Sequence, residues 1–216
     1  MRSITDLESI RKEYRLQSLL EKDVDADPVK QFEIWWGQAI QSGIEEPNAM
    51  SLATSTLAGK PSCRIVLLKA IRRNGFVFFS NYDSRKGKQI HHNPFAALVF
   101  FWKELERQVR IEGEIKKISE HESDAYFTKR PLESRISAWS SPQSEVIKSR
   151  DILEKNVSDI KNRFESETIP RPPYWGGYIV NPTLIEFWQG RPGRLHDRLQ
   201  YSMGARTTWK IERLAP

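Results

Sequence analysis

Apolar residues occur along most of this chain in short runs whose alternation with polar residues predicts β-strands. Glycine, proline or charged residues separate nine such runs, at 49–56, 63–71, 76–80, 95–102, 109–118, 175–180, 183–189, 194–201 and 208–213. The chain also has ten Phe and seven Trp, and aromatic side chains favour strands. Short strands at close spacing favour a barrel or a sandwich over a doubly wound sheet.

Helical spacing is confined to a few segments. Residues 28–43 begin with proline, end with glycine and carry apolar side chains at helical intervals, so they predict a helix. A capping box at 119–122 predicts a second helix, which runs to about residue 129 and is broken at Pro131. Further helices are predicted from about residue 83, over 144–165 and, as a short one, around 4–21.

Two tight turns are predicted between strands. Residues 58–61 read Ala-Gly-Lys-Pro and residues 72–75 read Arg-Arg-Asn-Gly. Because Asn-Gly readily takes the positive φ of a tight turn, we expect a hairpin at 72–75.

Length and composition suit one domain. The 216 residues, of which 38% are hydrophobic, are enough for a well-packed core. Residues 1–27 are highly charged and end in Asp-Val-Asp-Ala-Asp, which predicts a mobile N-terminal arm. We therefore expect an arm at 1–27 and a single domain at 28–216 that is mainly β (α+β), with flanking helices.

Location and partners are constrained by what the sequence lacks. No apolar run reaches the roughly 18 residues that a membrane span needs, and residues 1–14 have no apolar segment typical of a signal peptide. The single cysteine, Cys63, cannot form an internal disulfide, which fits a reducing compartment. We expect a cytoplasmic protein without a membrane partner.

The net charge of +6 is spread along the chain. Lys and Arg occur singly or in pairs among apolar strands and do not form blocks. This pattern suits discrete small anions better than a polyanion, so we expect no nucleic-acid partner.

The segment 191–198, Arg-Pro-Gly-Arg-Leu-His-Asp-Arg, holds the strongest chemical signal. On an extended strand Arg194, His196 and Arg198 would share one face. Three cationic or cationisable groups on one face are suited to meeting an anion, or to stabilising negative charge that develops in a reaction. The alternative is a solvated edge strand whose positive charge discourages aggregation.

Two further basic segments are candidate anion sites. Arg64 and Lys69 stand five positions apart on one predicted strand, so they would face opposite sides and serve two anions unless a bulge intervenes. Residues 79–87 run from a strand into a helix start, where free N–H groups, Arg85 and Lys86 would bind phosphate. The alternatives are ordinary strand-end charges and a capped surface helix.

Tyr126, Arg130 and Ser134 recur at four-residue intervals. On a continuous helix they would share a face and could clamp a phosphate. Pro131 interrupts that helix, and such trios also arise by chance on solvated helices.

Several chemistries are absent from the sequence. The histidines at 91, 92, 121 and 196 have no metal-ligand spacing with each other or with Cys63, so we expect no metal site. No Gly-x-Ser-x-Gly, P-loop or Gly-x-Gly-x-x-Gly motif occurs. Many anion contacts without a nucleophile point to chemistry supplied by a cofactor.

Several motifs follow one another in a specific order. They are Arg-Ile-Val-Leu-Leu-Lys at 64–69, Ser-Arg-Lys-Gly at 84–87, Gln-Val-Arg-Ile-Glu-Gly at 108–113, Tyr-Phe-x-x-Arg-Pro at 126–131, Trp-Ser-Ser-Pro-Gln-Ser at 139–144, Phe-Trp-Gln-Gly at 187–190, Arg-Leu-His-Asp-Arg at 194–198 and the C-terminal Trp-Lys-Ile-Glu-Arg-Leu-Ala-Pro at 209–216. From about Arg11 onward, this order resembles the pyridoxine (pyridoxamine) 5′-phosphate oxidase family.

The resemblance implies an FMN-binding split β-barrel and a homodimer with active sites at the subunit interface. It implies oxidation of pyridoxine 5′-phosphate or pyridoxamine 5′-phosphate to pyridoxal 5′-phosphate, as in vitamin B6 biosynthesis and salvage. Molecular oxygen would be reduced to hydrogen peroxide, and ammonia would be released from the amine substrate.

The resemblance also implies roles for individual residues. The positions that match FMN contacts, some supplied across the dimer, are Arg64, Ile65, Val66, Leu67, Leu68, Lys69, Phe79, Ser80, Arg85, Lys86, Gln108, Gln143, Ser144, Trp188 and Arg198. The positions that match a clamp on the substrate phosphate are Lys69, Tyr126, Arg130 and Ser134. Arg194 and His196 match residues beside the substrate ring and are the catalytic candidates. Arg11 and Tyr14 match a substrate-binding segment that closes over the site.

Two other kinds of function stay open at this point. A different flavin-dependent enzyme could use the same barrel, since a fold does not determine a substrate. A non-catalytic binding module, either a flavin or B6 carrier or a nucleic-acid binder, is the second alternative. Strongly salt-dependent affinity for DNA or RNA would favour the nucleic-acid binder, and bound flavin without turnover would favour the carrier.

Overall fold

The structure is a computed structural model that describes residues 13–165, 168–205 and 208–216. Within these ranges the α-helices are α1 (Pro28–Gln41), α2 (Arg85–His92), α3 (Glu120–Thr128), α4 (Leu132–Ser140) and α5 (Arg150–Arg163). The strands are β1 (Ala49–Ser55), β2 (Pro61–Leu67), β3 (Ala70–Arg72), β4 (Gly75–Asn81), β5 (Phe95–Trp102), β6 (Arg107–Lys117), β7 (Trp175–Gln189), β8 (Asp197–Met203) and β9 (Trp209–Arg213). Arg11, a predicted site residue, lies outside the described residues.

These strands belong to one sheet. Its order is β2-β1-β5-β6-β7-β4-β3, and β8 pairs with both β7 and β9. Besides its neighbour β6, strand β7 has two antiparallel partners: β4 pairs with Trp175–Val180, and β8 pairs with Leu184–Gln189. In the second pairing Trp188 lies opposite Arg198.

Contacts divide the chain into two compact units. Unit 1 contains the described residues up to Pro47, Val99–Arg110 and Leu184–Pro216, and unit 2 contains Asn48–Leu98 and the described part of Ile111–Thr183. Strands β5, β6 and β7 each continue from one unit into the other. The division into an arm at 1–27 and a domain at 28–216 stays a prediction.

Each unit has its own aromatic core. In unit 1, Phe32 contacts Phe100 edge to face, and Phe187 makes the same kind of contact with Trp35 and Tyr201. In unit 2, a cluster on and around α3, α4 and α5 is formed by Phe127, Ile136, Phe164, Ile169 and Trp175. Both cores use the edge-to-face or stacked arrangements that the charge distribution of aromatic rings favours.

The described part of the N-terminal segment is held to unit 1. The Leu19 side chain is buried, Arg213 donates hydrogen bonds to Glu21 and to the Leu19 carbonyl, and the Tyr201 hydroxyl donates to the Asp25 carbonyl. The short helix predicted around 4–21 is not found at 13–20, and its earlier residues lie outside the described ranges.

Helix starts follow the local capping signals. The Asp27 side chain accepts from the Val29 N–H, with Pro28 in the first turn of α1. The predicted capping box is confirmed, because Ser119 and Glu122 exchange hydrogen bonds at the start of α3.

Several predicted boundaries are wrong. The strand predicted at 63–71 is divided into β2 and β3, because β2 pairs with β1 whereas β3 pairs with β4. The helix predicted over 144–165 begins only at Arg150, and Ser144 has a left-handed φ of 75° that an α-helix cannot include. The strands predicted at 175–180 and 183–189 form one continuous strand, β7.

The hairpin at 72–75 is confirmed, but its glycine matters for a different reason. Arg73 and Asn74 form the connection between β3 and β4, and Asn74 does not have a positive φ. A Cβ at Gly75 would lie 2.2 Å from the Val180 carbonyl oxygen. Glycine is therefore needed there for the close approach of β7.

Candidate functional site

Unit 2 contains a cavity of about 650 Å³. Its walls come from β2 and the residues just after it, the end of β4, the start of α2, α3 and the turn after it, the segment after α4, and the start of β7. The lining residues are Ser62, Cys63, Arg64, Ile65, Val66, Leu67, Lys69, Phe79, Ser80, Asn81, Arg85, Lys86, Tyr126, Arg130, Gln143, Ser144 and Trp175. This volume suits a cofactor or a small-molecule substrate.

Arg64 and Lys69 line the same cavity, contrary to the expectation of opposite faces. The break between β2 and β3 explains the difference. The Leu68 N–H donates to the Asn48 carbonyl, whereas the Lys69 N–H donates to the Val77 carbonyl. The alternation of side chains between the two faces of a single strand therefore ends between Leu68 and Lys69.

The Arg64 guanidinium is fixed by neutral oxygens. It donates to the Leu52 carbonyl at 3.0 Å, to Thr54 Oγ1 at 2.7 Å and to Ser62 Oγ at 2.6 Å. Burial lowers the pKa of Arg64, and the positive charge of Arg85 lowers it further. The guanidinium is therefore held in a fixed geometry while its charge is available to an anion.

Lys86 lies beside this guanidinium. Its Nζ donates to Gln143 Oε1 at 2.7 Å and to Ser84 Oγ at 3.2 Å. Burial, followed by the charge of Arg64, lowers the pKa of Lys86 to about 8. Lys86 and Arg64 therefore place two cationic groups close together without a neutralising partner among the described residues, and a bound anion would stabilise both charges.

The N-terminus of α2 is part of the same basic region. Ser84 caps the helix by accepting from the Gly87 N–H, and Arg85 and Lys86 follow directly. A Cβ at Gly87 would lie 1.9 Å from the Tyr82 carbonyl oxygen, so only glycine allows this close turn. A helix N-terminus with two added cations is a typical phosphate-binding arrangement.

A stack of aromatic rings forms another part of the cavity. Phe79 and Tyr126 stack at 3.7 Å between ring centroids, and Trp175 is within 13° of parallel to both rings. The Arg130 guanidinium lies over the Trp175 ring at 4.5 Å. Burial lowers the pKa of Arg130 and raises that of Tyr126.

One nitrogen of Arg130 matters for ligand binding. Its Nη1 is buried and has no hydrogen-bond partner among the described residues. A buried donor without a partner carries a free-energy cost that a ligand oxygen would remove. Arg130 therefore offers a second anion site in the cavity that already holds Arg64 and Lys86.

Most of the predicted cofactor residues of unit 2 line the cavity. The exception is Leu68, which is buried elsewhere in the core. Of the predicted phosphate clamp, Lys69, Tyr126 and Arg130 line the cavity, but Ser134 does not. Because α3 ends at Thr128 and α4 begins at Leu132, the four-residue interval does not continue to Ser134 on one helix.

The remaining described candidates lie in unit 1. Tyr14, Trp188 and His196 form an aromatic cluster, with centroid distances of 5.7 Å for Tyr14–Trp188 and 4.6 Å for Trp188–His196. His196 Nδ1 accepts from the Arg191 N–H at 3.1 Å, so a neutral ring carries its proton on Nε2. Burial and the nearby Arg194 charge lower the pKa of His196. Gln108 is half-buried on β6.

The predicted cationic face at 194–198 is not formed. Strand β8 begins only at Asp197, and Arg194 lies in a 3-10 turn with a left-handed φ of 62°. Arg198 is paired with the buried Glu186 carboxylate at 2.8 and 3.2 Å, which raises its pKa. The prediction of one cationic face was wrong for two reasons. Pro192 and Gly193 make a turn just before Arg194, and Glu186 of the neighbouring strand pairs with Arg198.

The sequence reasoning missed some functional candidates. Trp175 supports Arg130, and Thr54 and Ser62 hold Arg64 in place. For Trp175 a signal existed, since two glycines follow it on a strand, and strand glycines often mark a close approach. At Gly177 a Cβ would come within 2.9 Å of the Phe79 ring.

The described residues contain neither a candidate metal cluster nor a candidate membrane-spanning helix. No group of three or more His, Cys, Asp or Glu side chains there could hold a metal ion. No helix within the described ranges is both long enough and apolar enough to span a bilayer.

Comparisons with known proteins agree along the whole chain. A family model described as "Pyridoxamine 5'-phosphate oxidase" matches residues 37–164, and a second, described as "Pyridoxine 5'-phosphate oxidase C-terminal dimerisation region", matches residues 175–216. The pyridoxine/pyridoxamine 5′-phosphate oxidase of Cyanothece sp. is 55% identical over 99% of both chains.

Two solved structures share the fold. PhzG from Burkholderia lata, solved with tetrahydrophenazine-1-carboxylic acid, is 28% identical with a TM-score of 0.87, and the match covers 93% of this chain and 99% of that one. A pyridoxamine 5′-phosphate oxidase-related, FMN-binding protein from Nostoc punctiforme is 18% identical with a TM-score of 0.70, over 89% and 100% of the two chains. The predicted split β-barrel is confirmed.

Proposed function

Because this chain belongs to the pyridoxamine 5′-phosphate oxidase family, we propose that it oxidises pyridoxine 5′-phosphate or pyridoxamine 5′-phosphate to pyridoxal 5′-phosphate. FMN is the cofactor of this family member. In the proposed reaction molecular oxygen accepts the electrons and becomes hydrogen peroxide. The amine substrate also releases ammonia.

The observation that carries the proposal is one cavity with two groups of anion-binding side chains. The first group is Arg64, Lys86 and the N-terminus of α2, and it fits the phosphate of FMN. The second is Arg130, whose buried Nη1 has no hydrogen-bond partner among the described residues, together with Lys69 and Tyr126. A phosphorylated cofactor and a phosphorylated substrate need two such groups.

In the proposed reaction, some residues of this chain bind the substrate phosphate and others orient the substrate ring. Arg64, Lys86 and the N-terminus of α2 would hold FMN, which would supply the redox chemistry by taking up the hydride that leaves the substrate's C4′ carbon, with oxygen as the final electron acceptor. We assign Arg130, Tyr126 and Lys69 to the substrate phosphate. Arg194 orients the substrate ring, and His196 supports it as a neutral imidazole whose Nε2 can donate a hydrogen bond.

The proposal includes a homodimer. The C-terminal match to a dimerisation region supports this oligomeric state. The cavity is lined by unit 2 alone, whereas Gln108, Trp188, Arg194, His196 and Arg198 belong to unit 1. We propose that each active site combines unit 2 of one subunit with these unit 1 residues of the partner.

A second candidate substrate comes from the structural relative PhzG. That protein was solved with a tetrahydrophenazine carboxylic acid, which has no phosphate. Such a tricyclic acid would present a carboxylate to Arg130 Nη1, whereas pyridoxine 5′-phosphate would present a phosphate. The phosphate dependence of turnover therefore separates the two candidates.

The deciding experiment is aerobic turnover of pyridoxine 5′-phosphate by the FMN-loaded protein, with pyridoxal 5′-phosphate and hydrogen peroxide followed together. Unphosphorylated pyridoxine is the control substrate. We expect both products in equal amounts, and strongly reduced turnover without the phosphate. An FMN-loaded protein that gives neither product would overturn the proposed reaction and favour another substrate or a carrier role.

The variant Arg130→Ala tests the clamp directly. Because it removes a charge-assisted contact to the substrate phosphate, we expect kcat/KM for pyridoxine 5′-phosphate to fall by roughly 100-fold. Turnover of unphosphorylated pyridoxine should change little, and FMN affinity should stay the same. Lys129→Ala, which removes an exposed charge one residue earlier, serves as the matched control. An equal loss with both substrates would contradict the assignment.

A further inference from the structure

Glu106 connects two segments of unit 1 that are far apart in sequence. Its carboxylate Oε2 accepts the backbone N–H of Arg15 at 2.9 Å and that of Leu16 at 3.2 Å. Its backbone carbonyl accepts the N–H of Gly190 at 2.8 Å. One residue thus joins the N-terminal segment to the end of β7.

The setting of Glu106 is unusual for a glutamate. The residue is 2% exposed, and its backbone is left-handed, with φ 56° and ψ 40°. Non-glycine residues rarely adopt this conformation, and ionised side chains are rarely buried unless they have partners. A strained backbone with a buried carboxylate is consistent with a functional constraint on this position.

The two hydrogen-bonded amides come directly after Tyr14. The Tyr14 ring lies against the Gly190 backbone, where a Cβ would be only 2.6 Å from Tyr14 Cγ. The same ring contacts Trp188 at 5.7 Å and His196 at 6.0 Å between centroids. The Glu106 carboxylate therefore fixes the backbone just after Tyr14. The Glu106 backbone carbonyl fixes Gly190, against which the Tyr14 ring packs.

We propose that Glu106 is a positioning residue that anchors residues 15–16 and thereby sets Tyr14 against Trp188 and His196. The effect on catalysis rests on the proposed function, because it takes Tyr14 and His196 as parts of the substrate site. The anchoring itself does not depend on which substrate is oxidised. The anchoring of residues 15–16 and its effect on catalysis therefore need separate measurements.

Hydrogen exchange tests the anchoring. In the FMN-loaded, full-length protein we compare wild type with Glu106→Gly, because glycine adopts the left-handed backbone without strain and its missing side chain removes the carboxylate. We expect the Arg15 and Leu16 amides to exchange at least about tenfold faster in Glu106→Gly, since a hydrogen bond to a charged group contributes at least this factor. Glu106→Gln, which keeps one carbonyl oxygen, should restore most of the protection.

Glu104→Gln is the matched control for this measurement, because Glu104 is exposed and two residues earlier in the same turn. Its exchange at residues 15–16 should equal that of wild type. Equal exchange in Glu106→Gly and wild type would overturn the anchoring. A melting temperature measured for each variant shows whether a change is local or reflects general unfolding.

Steady-state kinetics test the link to catalysis. We expect Glu106→Gly to raise KM for pyridoxine 5′-phosphate by about tenfold while kcat changes less, because a loosely held Tyr14 weakens substrate binding. Because Glu106 acts through Tyr14, adding Glu106→Gly to Tyr14→Ala should have little further effect. Fully additive effects of the two substitutions would overturn the link.

The two failures are distinguishable. A wild-type protein that oxidises neither phosphorylated substrate would refute the proposed function, and the exchange data would still decide whether Glu106 anchors the segment. A wild-type protein that is active, with unchanged KM in Glu106→Gly, would refute the positioning role alone.

Discussion

Lys86 is a cavity side chain whose charge depends on what occupies the cavity. Its pKa falls from an ordinary value near 10.5 to about 8 because it is buried and faces Arg64. A bound phosphate would offset both effects and return the lysine to its charged form. Cofactor binding and protonation of Lys86 are therefore linked.

This linkage predicts how FMN affinity varies with pH. Below about pH 8 Lys86 is already charged, and FMN binding needs no proton. Above that pH the free protein must take up a proton to bind FMN, so the Kd should rise by up to about tenfold per pH unit. Titrations between pH 6.5 and 9.5 measure this slope.

Lys86→Arg is the control, because arginine stays charged over this whole range. Its FMN affinity should vary much less with pH above 8. The same steep slope in Lys86→Arg would show that another group is responsible. The FMN-free wild-type protein should also gain stability as pH rises from about 8 towards 10.5, because the unfolded lysine then binds more protons than the folded one.

At the level of elements, the start of α2 determines where the cofactor phosphate can bind. Ser84 Oγ accepts from the Gly87 N–H and from Lys86 Nζ, and it donates to the Asn81 carbonyl. The cap therefore fixes both the helix N-terminus and one of its cations. Loss of this hydroxyl should affect stability and cofactor binding together.

Ser84→Ala tests this coupling. We expect a loss of about 1 kcal/mol in the free energy of unfolding, the usual effect of removing an N-cap, together with a weaker FMN Kd. Ser149→Ala is a matched control, because Ser149 precedes α5 without capping it through its side chain. Chemical denaturation and FMN titration of both variants give the comparison. Equal losses in the two variants would contradict a specific role for the α2 cap.

The same elements show what the sequence could predict. The caps at the starts of α1 and α3 and the hairpin at 72–75 depend on residues within a few positions, so local patterns found them. The start of α5 was placed six residues too early, because the left-handed φ of Ser144 has no local sequence signal. The division of the 63–71 run into β2 and β3 depends on a change of partner strand. The alternation of polar and apolar residues along the chain does not reveal such a change. The pairing of Arg198 with Glu186 likewise comes from a neighbouring strand.

In the candidate site too, residues with a local signal could be predicted, whereas contacts between distant segments could not. Arg64, Arg85 and Lys86 were found because residue type and a helix start point directly to phosphate. Whether Lys69 shares a cavity with Arg64 depended on the strand break at Leu68, and the alternation rule gave the wrong answer. Glu106 carried no sequence signal, because its partners are backbone amides 90 and 91 positions earlier in the chain.

For the whole molecule, the two units carry different parts of the proposed site. Unit 2 supplies the cavity with Arg130, and unit 1 supplies Arg194 and His196. If each active site combines unit 2 of one subunit with unit 1 of its partner, a dimer has two equivalent shared sites. Substitutions placed in different units can then complement each other.

Mixed dimers of Arg130→Ala and Arg194→Ala subunits test this arrangement. Each variant alone should be nearly inactive, because both of its sites lack one arginine. A mixed dimer would have one site with both substitutions and one intact site. Random mixing after co-expression should therefore restore roughly a quarter of wild-type turnover, since half the dimers are mixed and each has one working site.

The opposite arrangement gives a different result from the same experiment. If Arg130 and Arg194 of one subunit act at the same site, every site in a mixed dimer lacks one arginine, and turnover stays at the level of the single variants. Different affinity tags on the two subunits, used in two successive purification steps, isolate the mixed dimer and so show that it forms. Its FMN content, measured in parallel, shows whether it retains the cofactor.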